Sequence, residues 1–265
     1  MSKVYYLLLT FLGFSCAIVT KSTDPNSYSK SNSYILELYG DTLYMPRIDS
    51  SEIFISHFAY DLAYNELHEQ AKWVFYKLDS SRINGPISRT DKFKIDPLIV
   101  TGSAGHNDYR GSGFDRGHLA PAGDMTWSPQ AMNESFYYSN MSPQVPSFNR
   151  GIWRKLESKV RSWVSDFDSI YVTTGPVLEL NLSSIGEGVS VPKYFYKSLV
   201  GFRDSSALSI AFVLPNEGSR KELQEFVISV DSLENLTGID FNSKLHSKLQ
   251  SPLENSVCMN CWKWE

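Results

Sequence analysis

The feature that most restricts the fold is a pair of apolar runs, Tyr194–Gly201 and Ala207–Leu214, separated by the polar residues Arg203–Ser206. Two apolar runs on either side of a short polar turn predict a β-hairpin, and a hairpin joins antiparallel strands. Further strand candidates are Lys72–Leu78, Ser169–Thr174 and, as a strand or a short helix, Glu225–Val230. Because strands and helices do not alternate regularly, the pattern favours the α+β class. We therefore predict a central antiparallel sheet with flanking helices.

Two shorter helices are predicted from their end signals. Ser128–Pro129 is typical of a helix start, because serine caps the helix and proline suits its first position, and it predicts a helix that runs to about Tyr138. Asp231 and Glu234 form a capping-box pattern, and Gly238 is placed to end that helix.

The strongest helix pattern covers residues 149–164. Its apolar side chains recur at spacings of three and four, and they are Ile152, Trp153, Leu156, Val160, Trp163 and Val164. The opposite side carries Arg150, Arg154, Glu157 and Arg161. A net charge of −4 argues against a protein that coats nucleic acid through its overall charge, but this helix predicts a local basic surface. On this surface Arg154 is expected to be solvated. Asn149, at the predicted start of the helix, is a residue type that commonly caps helices.

The N-terminus is typical of an export signal. Lys3 precedes an uncharged, mostly apolar run, Tyr5–Val19, whose 15 residues are too few to cross a hydrocarbon core of roughly 30 Å comfortably. We predict a signal peptide or lipoprotein leader over residues 1–20, a polar linker over 21–34 and a single domain over 35–265, with an uncleaved anchor as the alternative. Cys16 lies in GFSC, which is similar to a lipoprotein cleavage box except at Gly13, so it is a candidate for a lipid anchor.

Two of the three cysteines, Cys258 and Cys261, form the motif CMNC near the C-terminal end. In an exported protein the simplest interpretation is a short-loop disulfide. A zinc site would need two more ligands, and only His246 is close in sequence. A thioredoxin-like redox motif would be expected near a βαβ unit rather than in a terminal tail.

Two polar segments carry the candidate chemistry. FDRGHLAPAGDM, residues 114–125, contains Asp115, Arg116 and His118, and NMSPQVPSFNRGIWRKLE, residues 140–157, contains Asn149, 31 residues after His118. A strand that carries His118 and a helix that starts near Asn149 would bring the two side chains together. A neutral histidine can take a proton from water, a hydrated divalent cation with oxygen ligands can stabilise charge on a phosphate, and arginine matches phosphate geometry. The pair therefore suggests phosphodiester hydrolysis.

At these residues the chain resembles the DNA/RNA non-specific endonucleases. FDRGHLAPAGDM is similar to their DRGH signature, and SNMSPQ with NRGIWRKLE is similar to its second half at the family spacing. Weaker similarities are WVFYKL, SRTDKFKIDP, TGP and VPKYFYK, so the resemblance spans about residues 53–241. It implies a ββα-metal (His-Me finger) core that carries the active site.

The resemblance also implies a role for individual residues. His118 would be the general base, and Asn149 would be the single protein ligand of a hydrated Mg²⁺, with Mn²⁺ as the alternative metal. Glu157 would hold waters around the cation, and Arg89 would stabilise the developing charge on the phosphoryl group. The remaining residues are Arg116, which would brace the site or contact phosphate, Asn140, which would fix the loop that orients His118, and Arg150 and Arg161, which would bind nucleic acid.

The implied activity is sugar-non-specific hydrolysis of DNA and RNA to 5′-phosphate products by an exported enzyme without a small-molecule cofactor. A homodimer is compatible with the resemblance, although nothing in the sequence marks a dimer face. Taken singly, His118 could be a structural histidine, and Asp115 is expected to be structural and paired with an arginine. The alternative function is a catalytically inactive nucleic-acid-binding protein on the same scaffold. It is disfavoured because His118, Asn149 and Arg89 are all present.

Overall fold

The computed structural model describes residues 40–204 and 206–265. The predicted leader, the linker and Cys16 lie outside the described residues. Eleven strands are present in this part of the chain: β1 Ile53–Ser56, β2 Asp61–Asn65, β3 Gln70–Leu78, β4 Asp115–His118, β5 Met141–Gln144, β6 Ser169–Pro176, β7 Ser184–Ile185, β8 Val189–Ser190, β9 Tyr194–Arg203, β10 Ser206–Pro215 and β11 Val227–Ile228. Seven of them form one sheet in the order β1-β2-β3-β6-β9-β10-β11, and every neighbouring pair is antiparallel. The predicted α+β class with a central antiparallel sheet is confirmed.

The predicted hairpin forms β9 and β10, which pair from Tyr194 with Pro215 to Arg203 with Ser206. Asp204 in the turn has a left-handed backbone with φ of 50°. Most of β9 is buried, and the two main apolar clusters lie on opposite faces of the sheet. A strand that is covered on both faces needs apolar side chains on both, which explains why these runs are continuous rather than alternating.

Five α-helices are described: α1 His106–Tyr109, α2 Pro129–Glu134, α3 Arg154–Trp163, α4 Val230–Thr237 and α5 Ser247–Glu254. The apolar side of α3 packs on one face of the sheet through Leu156, Val160 and Trp163. Val230 and Leu233 of α4 pack on the other face. No helix of residues 40–204 and 206–265 is long and apolar enough to cross a membrane.

Helix α2 starts as predicted but ends early. The Ser128 hydroxyl accepts a hydrogen bond from the Ala131 amide, so the predicted cap is confirmed, but the helix stops at Glu134 instead of continuing to Tyr138. The reason is a competing backbone contact: the Lys94 amide donates to the Phe136 carbonyl, and the Tyr138 amide donates to the Lys94 carbonyl. These bonds draw the chain out of the helix.

Helix α4 begins two residues earlier than the capping-box pattern predicts. Ser229, not Asp231, is its cap, because the Ser229 hydroxyl accepts a hydrogen bond from the Ser232 amide. Gly238 ends the helix in the left-handed region, with φ of 68°, as predicted. The preceding segment, predicted as strand or short helix, is divided between a 3₁₀ turn, Leu223–Phe226, and β11.

The predicted regular helix over residues 149–164 is wrong in its first part. Phe148–Trp153 forms a π-helical segment with a kink at Gly151, regular α-helix starts at Arg154, and a 3₁₀ turn follows at Val164–Asp166. Phe148 and Trp153, five residues apart, both pack on Phe195 of β9, with ring centroids 5.3 Å and 5.8 Å from it. A wider turn suits this five-residue spacing, and Asn149 is therefore not the N-cap of a regular α-helix.

The C-terminal tail packs against the C-terminal end of α3. The predicted disulfide joins Cys258 and Cys261. It precedes Trp262, which is buried against Trp163 of α3 with ring centroids 4.9 Å apart, and the Trp163 indole N–H donates to the Lys263 carbonyl. The tail thus covers the Trp163 end of the helix.

Candidate active site

A two-stranded ribbon and one helix form the frame of the site. Strand β4, which is the DRGH segment, pairs antiparallel with β5, with Asp115 opposite Gln144 and His118 opposite Met141. The chain then passes through the π-helical segment into α3. A Cβ atom at Gly117 would lie 2.1 Å from the buried Gln144 side chain, so any larger residue at this position would have to displace that side chain. This ββα arrangement is the one that the sequence predicted.

His118, at the end of β4, is 7% exposed and sits against aromatic rings. The Phe136 ring meets it edge-on with centroids 4.9 Å apart, and Phe93 is 5.8 Å away. Its Nε2 atom is buried and has no hydrogen-bond partner among the described residues. Burial, followed by the positive charges of Arg89 and Arg116, lowers the pKa of His118 to about 3. The ring is therefore neutral at physiological pH, which is the form that accepts a proton.

Asn140 lies behind His118 and is fully buried. Its amide nitrogen donates to the carbonyls of Ala120 and Ser135, and its side-chain oxygen accepts from the Ala120 amide. Its own carbonyl accepts from the Leu119 amide. Asn140 thus fixes the backbone that follows His118 but does not reach the open part of the site.

Asn149 is oriented by Asp115. Its Nδ2 donates to Asp115 Oδ2 at 2.9 Å, and Arg150 binds the same carboxylate through Nε at 2.8 Å and Nη2 at 2.6 Å. A carboxylate can only accept, so the amide nitrogen must face Asp115, and no described residue occupies the Asn149 oxygen. These bonds, after the opposing effect of burial, hold the pKa of Asp115 below its usual range.

Glu157 on α3 belongs to a second group of charges beneath the site. Burial raises the pKa of its carboxyl, and the nearby Lys197 ammonium opposes that rise. Lys197 is fully buried on β9, where its Nζ donates to Thr174 Oγ1 at 3.1 Å and the Leu119 carbonyl at 3.4 Å. Burial lowers the pKa of Lys197. The lysine therefore both binds the backbone next to His118 and lowers the pKa of Glu157.

Arg161, one turn after Glu157, forms its hydrogen bonds with other protein groups. Its Nη1 is 2.6 Å from Oδ1 of the buried Asp124, and its Nη2 donates to Ser158. Asp124 in turn accepts a hydrogen bond from the Tyr76 hydroxyl.

Two adjoining clefts expose these residues. The first cleft, about 290 Å³, is lined by Arg89, Arg116, His118, Pro121, Ala122, Gly123, Asn149, Arg150, Arg154, Glu157 and Arg161. The second cleft, about 420 Å³, shares Arg89, Arg116, Asn149 and Arg150 with it. The structure thus brings His118 and Asn149 to one cleft together with every other predicted site residue except Asn140, which lies behind.

Two arginines of the first cleft rest on aromatic rings. Arg89 is exposed, pairs with Asp91 at 2.6 Å and lies over Phe136, with its guanidinium carbon 5.0 Å from the ring centroid. Arg116 lies over Phe93 at 3.9 Å. Both guanidinium groups are thereby held beside the His118 ring, which contacts the same two aromatic side chains.

The donor set of the first cleft fits a hard cation that keeps most of its waters. It offers a neutral carboxamide oxygen on Asn149 and a carboxylate on Glu157. In the described parts of the chain, three acidic side chains close enough for a cage occur at Asp231, Glu234 and Glu254, and none of them lines this cleft. With Asn149 as one of six ligands, five waters at roughly 30 Å³ each amount to about 150 Å³, which the first cleft can accommodate.

Two residues of this centre have contacts that the sequence does not predict. Asp115 was expected to pair with an arginine, and it does, but its contact with Asn149 was not foreseen. Lys197 was overlooked, although a lysine inside the apolar run Tyr194–Gly201 is itself a signal, since lysine is rarely buried without a partner.

Comparison with known proteins gives consistent matches. The model of the DNA/RNA non-specific endonuclease family matches residues 44–248. The mitochondrial nuclease EXOG of Danio rerio is 37% identical over 210 residues, which cover 72% of this chain and 61% of the relative. Nuclease C1 of Cunninghamella echinulata is 37% identical over 72% of this chain and 83% of the relative. The human mitochondrial endonuclease G is 33% identical over 69% and 67%. The chain spans about three fifths of the length of the zebrafish protein.

A solved structure supports the same assignment. The crystal structure of an EndoG/EndoGI complex contains a chain that superposes with a TM-score of 0.71 at 31% identity, covering 81% of this chain and 94% of that one. The fold, the family model and the relatives agree. The chain therefore belongs to the DNA/RNA non-specific endonuclease family.

Proposed function

We propose that this protein is a metal-dependent endonuclease that hydrolyses phosphodiester bonds of DNA and RNA. One observation carries the proposal: a buried, neutral His118 and the unoccupied carboxamide oxygen of Asn149 line one cleft together with five arginines. This combination offers a base, a cation ligand and anion-binding groups at the same place.

In the proposed mechanism, His118 takes the proton from the attacking water. Arg89 and Arg116 stabilise the charge that develops on the phosphoryl oxygens, since their guanidinium groups are held in place by Phe136 and Phe93. A hydrated Mg²⁺, or Mn²⁺, held through the Asn149 oxygen and with waters bonded to Glu157, would neutralise charge on the phosphate and on the leaving oxygen. The leaving group is the 3′ oxygen, so the products carry 5′-phosphates.

Arg150 and Arg161 are not equivalent in this proposal. Arg150 is exposed and uses Nε and Nη2 on Asp115, so its Nη1 stays available for a phosphate. Arg161 is partly buried and is held by Asp124 and Ser158, so we expect it to support the site mainly from within. Contacts to phosphate rather than to sugar or base edges are consistent with activity on both DNA and RNA.

The direct test is digestion of plasmid DNA and of RNA with Mg²⁺, Mn²⁺ or EDTA. We expect cleavage with metal only, and a loss of about 10²–10⁴-fold in His118→Ala, the usual contribution of a general base. Asn149→Ala should lose activity and require more metal. His246→Asn is the matched control, because His246 is exposed, lies outside both clefts and caps α5, a role that asparagine can keep. Equal activity of wild type and His118→Ala would refute the proposal, and binding without cleavage would favour the inactive alternative.

We also propose export, supported by the signal-like residues 1–20 and by the disulfide between Cys258 and Cys261. Some relatives are named as mitochondrial nucleases, whereas one is a nuclease of the bacterium Nostoc. Cell fractionation and mass spectrometry of the mature N-terminus would locate the protein and show whether Cys16 carries lipid. Light scattering of the purified protein would show whether it forms the homodimer with which the resemblance is compatible.

A further inference from the structure

We infer that the second cleft binds a nucleotide next to the cleaved bond, and that Arg110 holds the phosphate of that nucleotide. The inference rests on the proposed nuclease function and extends it, since Arg110 belongs to neither predicted half of the active site. It assigns this arginine a role in substrate binding and none in the chemical step.

The two clefts form a continuous surface. Four residues line both of them. A nucleic-acid strand whose reacting phosphate lies beside His118 and Arg116 can therefore continue from one cleft into the other. The far end of the second cleft is formed by α1 and the residues after it: His106, Tyr109, Arg110 and Phe114. Arg110 directly follows α1 and precedes Gly111 and Gly113, whose φ values of 72° and 84° turn the chain back toward β4. The turn thus presents Arg110 at the rim.

The ion pairs of the clefts show which arginines already have a carboxylate partner and which keep their whole charge for an anion. Three lining arginines are paired: Arg89 with Asp91, Arg150 with Asp115 and Arg161 with Asp124. The other three, Arg110, Arg116 and Arg154, have no carboxylate partner among residues 40–204 and 206–265. A phosphate can bind these three without breaking an ion pair.

The order of the unpaired arginines follows the surface. Arg154 lines only the first cleft, Arg116 lines both, and Arg110 lines only the second. Arg110 is exposed, and the carboxylates that share its cleft, Asp91 and Asp115, are already bound to arginines. This is the arrangement expected for successive phosphates of one strand, with the central one beside the catalytic histidine.

The wall of the second cleft also suits a nucleotide. Tyr109 is buried and packs on Tyr138 with ring centroids 5.7 Å apart, while Phe93 and Phe114 are partly exposed beside it. The Tyr109 hydroxyl is buried and has no hydrogen-bond partner among the described residues. Buried hydroxyls are ordinarily satisfied, so this one leaves the wall of the cleft with an unpaired polar group. Aromatic rings accept any base, which agrees with a lack of sequence preference.

The test uses thymidine trinucleotides in which one of the two linkages is a neutral, uncleavable methylphosphonate. Each such substrate has one cleavable phosphodiester bond, with an uncharged linkage on its 5′ or its 3′ side. Its cleavage rate is compared with the rate at the same bond of the all-phosphodiester trinucleotide, and chromatography separates the products. For wild type, we expect the neutral linkage on one side to lower kcat/KM about tenfold, which is the range of a charge-assisted hydrogen bond. Arg110→Ala should lose the same factor on the charged substrate and cleave both substrates equally, whereas Arg110→Lys should keep most of the difference.

Arg220→Ala is the matched control, because Arg220 is an exposed arginine outside both clefts. Bis(4-nitrophenyl) phosphate, which has no flanking phosphate, should be hydrolysed equally by wild type and Arg110→Ala. The inference is wrong if wild type does not discriminate on either side, if Arg110→Ala still discriminates, or if that variant also loses hydrolysis of the small ester. If wild type cleaves no substrate, the proposed function fails. The inference is then tested by fluorescence anisotropy of labelled trinucleotides: wild type should bind the charged trinucleotide more tightly than the methylphosphonate form, and Arg110→Ala should bind both equally.

Discussion

The depressed pKa of His118 predicts a stability that falls with falling pH, and the size of the effect can be worked out. The pKa is about 3 in the folded protein against an ordinary value of 6.5. Between these values the unfolded chain binds a proton that the folded protein does not, so stability is complete above pH 6.5 and decreases as the pH falls toward 3. At pH 5 the difference amounts to roughly 2 kcal/mol, and about 5 kcal/mol are lost once the pH is below both values.

The measurement is urea unfolding of wild type and His118→Gln at pH 8 and pH 5, in EDTA so that no cation is bound. Other groups titrate equally in both proteins, so the difference between the two pH dependences isolates His118. Wild type should lose about 2 kcal/mol more than His118→Gln between the two pH values. Equal losses would show that His118 does not titrate abnormally in the fold, and the explanation of its neutral state by burial beside Arg89 and Arg116 would have to be abandoned. The prediction is independent of catalysis.

Three further predictions concern the surroundings of the site. Lys197→Met removes the positive charge that holds down the pKa of Glu157, so the acidic limb of the kcat/KM profile should move to higher pH; an unchanged limb would contradict the coupling. Asn140→Ala leaves the Ala120 amide and the Ala120 and Ser135 carbonyls without their hydrogen-bond partner. It should lower the free energy of unfolding by about 2 kcal/mol or more and also lower activity, and a urea unfolding curve like that of wild type would contradict this. Cys258→Ser, or reduction of the disulfide, should lower the free energy of unfolding by roughly 2 kcal/mol, because the closed loop is short. The melting temperature should fall while activity at 25 °C is retained, and an unchanged melting temperature would contradict the prediction.

Much of the frame could be predicted because it depends on local patterns. The β9–β10 hairpin follows from two apolar runs and a polar turn, and the α2 cap follows from Ser128. The meeting of His118 and Asn149 is implied by the resemblance of residues 114–125 and 140–157 to the two halves of one family signature. Each of these features is encoded within a short stretch of chain.

The remaining features depend on contacts between distant segments. The π-helical start of the active-site helix is explained by Phe148 and Trp153 packing on Phe195 of another strand, which no periodicity within residues 148–164 contains. The early end of α2 depends on Lys94, some forty residues upstream. Lys197 is read from sequence as part of a strand, and only the fold shows that its ammonium reaches the Leu119 carbonyl beside His118.

The packing of the C-terminal tail on α3 has a practical consequence for work with shorter versions of the chain. The family match ends at residue 248, so trimming the protein to that boundary would remove Trp262 and Trp264. Their removal would uncover the indole of Trp163 on α3 and the ring of Phe212 on β10, which now contact them. Such an uncovered aromatic surface is a typical cause of aggregation during expression, so the soluble yield of a trimmed protein would depend on residues that contribute nothing to the reaction.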